Sequence, residues 1–134
     1  YGPRSKASSM YSGVISAFVK QKSEKKPLTI VGDGLQTRSF VYVLDIVSAM
    51  IKAAKSKLQN TIFNVGSEKS ICILNIAKIL GGKKIYVPKR SGEPRHSSAD
   101  IRLIKKKLRW KPKFSLKKGI KITYSKLISS KKNL

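Results

Sequence analysis

One cysteine, one histidine and six acidic residues among 134 leave this chain little catalytic equipment. A lone Cys72 cannot close an internal disulfide, and a reducing cytoplasm is the expected compartment. It sits in an apolar run and reads as a buried packing residue. A single His96 and a single cysteine exclude the ligand clusters of zinc sites, so no metal is expected. The six acids are scattered, and none pairs at the spacing acid–base work needs. There is no G-x-G-x-x-G and no P-loop. No apolar run approaches the ~20 residues of a membrane span, and no signal peptide is visible, so no membrane partner is expected. The start at Tyr1 rather than methionine suggests a piece of a longer protein.

Positive charge is abundant: 30 basic residues give a net charge of +24. Such an excess raises the prospect of a free-standing nucleic-acid-binding module, because phosphate neutralisation drives that binding. Two features argue against it. Only Arg4, Arg38, Arg90, Arg95, Arg102 and Arg109 are arginine, leaving 24 of the 30 as lysine. Arginine is the residue that grips phosphate through two donors. The lysines also spread along helical faces, as in "RLIKKKLRWK", without the interleaved aromatics of a single-strand binder. They read as a solvated lysine-rich surface with non-specific affinity for polyanions at low salt.

The pattern is mixed α/β, with short strands and helices in alternation and no break marking a second domain. Residues 1–128 read as one region and 129–134 as a basic, frayed tail. Met10 to Lys22 has helical spacing. "LTIVG" (28–32) and "SFVYV" (39–43) read as strands flanking a Gly-Asp-Gly turn. Asp45 is placed to cap a helix over 46–57. "TIFNVG" (61–66) reads as a strand buried on both faces of a parallel sheet. "ICILNIAKIL" is helical and stops at Gly81-Gly82. "KIYVP" is a strand, Asp100 caps a helix over 101–110, and a last helix follows "KPKF".

Two loops carry arginine, "GDGLQTRSF" and "KRSGEPRHSSAD". Both follow strands, where α/β proteins bind ligands. An arginine fork suits a diphosphate. The alternative is that Arg38 pairs with Asp33 or Asp45, or lies free on the surface.

Taken in order, "YGPR", "YSGVISAF", "PLTIVGDGLQTRSFVYVLDI", "FNVGSEKSI", "RSGEPRHSSADI" and "LRWKPKFSLKKGI" resemble the C-terminal part of the nucleotide-sugar epimerase/dehydratase family, the extended short-chain dehydrogenases. The closest style is that of the UDP-hexose 4-epimerases; uronate decarboxylases and sugar 4,6-dehydratases share much of the pattern. The resemblance implies an α/β substrate-binding portion lacking most of the Rossmann sheet. It places Arg38 and Arg90 on the substrate diphosphate and Glu93 on the ribose hydroxyls. It places Thr29, Ile30 and Val31, with Val14, on the wall of the base pocket. His96 is expected to order its loop by a hydrogen bond.

Three positions depart from the family pattern: Ser39 stands where an acid usually follows the arginine, Ser16 where a proline is usual, and "RSGE" where "RPGD" is usual. The resemblance also implies what the chain lacks, since no tyrosine here has a lysine four residues on. NAD, and the tyrosine that takes the sugar hydroxyl proton while NAD takes hydride to give a transient 4-keto sugar, belong to an N-terminal Rossmann half. The implied partners are a UDP-sugar, that Rossmann half, and a second copy in a homodimer built through it. No catalytic residue is expected in this chain, and the isolated region is expected to aggregate.

Overall fold

The structure, a computed structural model, describes residues 1–5 and 13–132. The predicted helical start at Met10 lies outside the described residues. The elements run α1 (Val14–Ser23), β1 (Leu28–Val31), β2 (Thr37–Ser39), α2 (Val43–Ala54), β3 (Ser70–Cys72), α3 (Ile73–Leu80), β4 (Lys84–Val87), α4 (Arg102–Leu108) and α5 (Leu116–Lys132). β1 pairs with β4 in parallel, Leu28 opposite Lys84. β2 pairs with β3 antiparallel, Thr37 opposite Cys72. No helix among the described residues is long and apolar enough to cross a membrane.

Two apolar clusters hold these elements. In the first, Ile15, Phe18 and Val19 of α1 meet Leu28 and Ile30 of β1, Ile73, Ile76 and Ala77 of α3, and Ile120 of α5. The helical spacing of α1 puts three side chains on one face, and the period of two in β1 puts Leu28 and Ile30 on that same side. The second cluster joins Ala49 of α2 to Ile101, Ile104 and Trp110.

The join between the clusters is polar and buried. Asp45 is 2% exposed. Its carboxylate accepts the amide N–H of Lys113 at 2.8 Å and of Phe114 at 3.1 Å. Trp110 donates its indole N–H to the Asp45 carbonyl at 3.2 Å and to Ser48 Oγ at 2.8 Å. Asp45 is therefore not the helix cap. α2 begins two residues earlier, with Tyr42 at the N-cap and no side-chain cap bond. The expected strand over 39–43 is cut short for a related reason: β2 ends at Ser39. The Tyr1 nitrogen donates to the Val41 carbonyl (3.0 Å), and Val43 donates back to the Tyr1 carbonyl (2.9 Å), so residues 41–43 serve chain residue 1 before turning helical.

Other expectations shift as well. Residues 61–66 form no strand among the described residues. Phe63 and Val65 pack on the second cluster, while Ile62 is 90% exposed. With no neighbouring strand, an apolar segment can bury only one of its faces. Cys72 is half-buried at the N-cap of α3. Asp100 lies one residue outside the N-cap of α4, yet its carboxylate still accepts the Arg102 amide at 3.0 Å. α5 continues to Lys132, into the stretch expected to fray. The strands 28–31 and 84–87 and the glycine stop at Gly81 (φ 67°) match the sequence reading.

Candidate functional site

Because β1 buries alternate residues, Thr29 and Val31 face away from the core. Together with α1 and the loop after β4 they border a cleft of about 570 Å³. That is within the range of roughly 300–1,000 Å³ typical of small-molecule sites. Val14, Ala17 and Gln21, one face of α1, form one wall; Gln36, Arg38 and Phe40 form another; Arg90 and Glu93 border the late-loop side.

The Gly-Asp-Gly turn shapes the approach to it. Gly34 has φ 72°, and a Cβ there would stand 2.7 Å from both Ile30 Cγ2 and Leu74 Cγ. Only glycine fits that backbone and that space. Asp33 accepts the Leu35 amide at 2.9 Å and a two-pronged contact from Arg95, 2.9 and 2.7 Å. The Arg95 guanidinium, helped by the Leu35 amide, holds the Asp33 carboxyl below its usual value.

The late loop is fastened along β2. Thr37 donates its amide to the Arg95 carbonyl, and Ser97 donates to the Thr37 carbonyl, each at 3.0 Å. His96 Nδ1 lies 3.0 Å from Thr37 Oγ1, the loop-ordering bond expected of it. These contacts bring Glu93, distant in sequence, to Arg38. Arg38 Nη2 donates to Glu93 Oε1 at 3.1 Å, while Nη1 donates to the Thr37 carbonyl at 2.9 Å and the Arg95 carbonyl at 3.4 Å. Arg38 thus pairs with neither Asp33 nor Asp45. Ser39, where the family pattern has an acid, accepts the Ser67 amide at 2.9 Å instead. The orientation of Arg38 is set by Glu93, across the loop, and by the two carbonyls.

Arg90 is exposed and has no hydrogen bond or ion pair among the described residues. The cleft therefore holds one compensated cation and one uncompensated one. Every other acid is engaged elsewhere: Glu24 with Lys26, Asp33 with Arg95, Asp100 with Arg102, Glu68 with Lys105, and Asp45 with two backbone amides.

Of the residues singled out in the sequence, Val14, Thr29, Val31, Arg38, Arg90 and Glu93 meet at this cleft. Ile30 does not: its side chain is fully buried in the first cluster, as strand alternation requires. Gln21 was not anticipated. It donates through Nε2 to Thr29 Oγ1 at 3.0 Å and accepts the Thr29 amide at 3.2 Å. Its signal was present, because Val14, Ala17 and Gln21 follow one another at helical spacing. Gln36, which donates to the Val31 carbonyl at 3.0 Å, gave no such signal.

With two arginines and a carboxylate beside a strand edge, the cleft has the chemistry that suits an anionic ligand in an α/β fold. The sequence model of the NAD dependent epimerase/dehydratase family matches residues 1–66. UDP-glucuronic acid decarboxylase 1 of Arabidopsis thaliana is 33% identical over 128 residues, 90% of this chain and 28% of that protein. The crystal structure of a UDP-glucose 4-epimerase with UDP-glucose from Thermotoga maritima superposes with a TM-score of 0.90 at 32% identity, covering 97% of this chain and 43% of that one. A UDP-glucuronic acid 4-epimerase from Bacillus cereus, in complex with UDP-glucuronic acid and NAD, gives 0.87 at 30% identity, with 97% and 43% covered. The chain belongs to the NAD-dependent epimerase/dehydratase family and spans well under half the length of these relatives.

NAD is the cofactor of that family, and the residues described here do not fit it. The Gly-Asp-Gly turn leads from β1 into β2, not into the helix N-terminus that a dinucleotide pyrophosphate requires.

Proposed function

We propose that this chain is the C-terminal, nucleotide-sugar-binding part of an NAD-dependent nucleotide-sugar epimerase, a UDP-hexose 4-epimerase of the cytoplasm. The convergence of Arg38, Arg90 and Glu93 on one cleft beside Thr29 and Val31 carries this reading. The arginines supply charge for a diphosphate. The Glu93 carboxylate offers acceptors for the ribose diol. The half-apolar wall of Val14, Phe18 and Val31 suits a base. NAD and the proton-transferring tyrosine belong to an N-terminal Rossmann half.

That half also accounts for a surface otherwise left bare. Val43, Leu44, Val47, Met50 and Ile51 of α2 are 38–65% exposed, close in sequence to the unpaired Ile62. An apolar helix face and an unpaired extended segment suit a parallel sheet that gains a strand at 61–66 and is covered by α2. The share of the solved relatives that this chain spans supports that occupant.

The likeness to a UDP-glucuronic acid decarboxylase favours a second reading, with a uronate as substrate. The full-length protein with NAD decides between them. Conversion of UDP-glucose to its 4-epimer supports the first, and release of carbon dioxide from UDP-glucuronate the second. Within either, Arg90→Ala weakens UDP-sugar binding about tenfold or more, the loss of a charge-assisted contact of about 1.5–3 kcal/mol. An unchanged affinity by calorimetry removes Arg90 from the site.

A further inference from the structure

The two arginines of the cleft are not equivalent. Arg90 faces it with no partner among the described residues, whereas Arg38 is held by Glu93 at 3.1 Å and by two carbonyls. The Arg38 and Glu93 side chains are 23% and 36% exposed, so the pair is partly shielded from water yet open on its cleft side. A bare anion reaching Arg38 meets a cation already neutralised and the repulsion of a nearby carboxylate. It gives Glu93 nothing in return, because phosphate oxygens at neutral pH offer almost no donors. A ligand carrying two vicinal hydroxyls does. A carboxylate that leaves an arginine for a diol keeps its hydrogen bonds, and the freed guanidinium edge gains a phosphate.

We propose that Glu93 masks Arg38 against simple anions and releases it only to a ligand that presents a diphosphate and a vicinal diol together. This rests on the nucleotide-sugar reading of the cleft and deepens it: the Arg38–Glu93 pair becomes the element that selects nucleoside diphosphates over inorganic phosphates. Arg90, exposed and without a partner among the described residues, supplies the first attraction for either kind of anion. The exchange breaks no covalent bond and moves no proton; one ion pair is replaced by a cation–phosphate contact and a carboxylate–diol contact.

The test compares UDP, 2′,3′-dideoxy-UDP and inorganic pyrophosphate on the full-length protein by titration calorimetry, for the parent and for Glu93→Gln. The parent binds UDP well and pyrophosphate poorly. Glu93→Gln, which keeps the shape and removes the charge, strengthens pyrophosphate binding about three- to tenfold, the scale of one partly exposed ion pair. The same variant weakens UDP and narrows the gap between UDP and its dideoxy analogue. If pyrophosphate affinity in Glu93→Gln is unchanged or falls, the masking role is overturned, whatever UDP does. If the parent binds no UDP, the nucleotide reading fails, and a pyrophosphate gain in Glu93→Gln still reports the mask by itself. Glu93→Asp guards against a folding artefact. Its charge is kept but its reach is a methylene shorter, so it lies between parent and Gln for pyrophosphate. A Glu93→Asp gain equal to that of Glu93→Gln would mean that loop distortion, not charge, opens Arg38, and overturns the proposal.

Discussion

Replacing Asp45 by alanine removes a buried polar anchor between the two clusters of the described fold. The carboxylate is 2% exposed and accepts two backbone N–H groups, at 2.8 and 3.1 Å, from residues 68 and 69 positions away. Hydrogen bonds to a charged group contribute about 1.5–3 kcal/mol each. Truncation leaves the part-buried Lys113 and Phe114 amides without their carboxylate partner, while relief of the carboxylate's own desolvation offsets part of the loss. The net expectation is a destabilisation of about 3 kcal/mol. For a chain of this size that lowers the unfolding midpoint by roughly 10 °C. Trp110 is the only tryptophan within residues 1–134, and its indole N–H bonds the Asp45 carbonyl and Ser48, so its fluorescence reads this junction directly in a protein without other tryptophans. Faster exchange of the Lys113 and Phe114 amides accompanies the shift. A loss under about 1 kcal/mol, with those two amides still protected, would refute the anchoring argument.

Further outcomes follow from the same structure. Gly34→Ala forces a Cβ to within 2.7 Å of Ile30 and Leu74 at φ 72°, and is expected to cost about 2–4 kcal/mol and to weaken ligand binding; wild-type melting of that variant contradicts the turn geometry. Asp33 has its carboxyl lowered by Arg95, so the Asp33–Arg95 clasp is fully present above the unfolded value near 3.8 and is lost as pH falls through the lower folded value. Protection from hydrogen exchange over residues 90–97, relative to the intrinsic rate at each pH, should therefore fall in acid, and Asp33→Asn should remove that fall. Val47→Lys with Met50→Lys should make an isolated 1–134 fragment more soluble while disrupting the full-length protein; the reverse pattern in size-exclusion profiles sinks the assignment of the α2 face.

The local alternation and spacing of side chains were enough for β1, β4, α3 and α4, because their apolar periods and glycine stops are facts of neighbouring residues. The same holds for the two arginine loops, whose place after strands is readable without a fold. What the sequence could not contain is partnership across long separations. Asp45 looks like a helix cap until Lys113 and Phe114 arrive, and Arg38 has Asp33 nearer in sequence yet takes Glu93, 55 residues away. Ile30 carries the residue type of a pocket wall, and only the side of β1 that α1 and α3 cover sends it into the core. "TIFNVG" has the composition of a doubly buried strand, but a strand exists only where another lends its hydrogen bonds, and among the described residues none does. The chain's own residues thus decided where apolar side chains repeat with a helix or strand period and where cations gather. Which carboxylate meets which arginine was decided by tertiary packing, because an ion pair depends on distance in space and not along the chain.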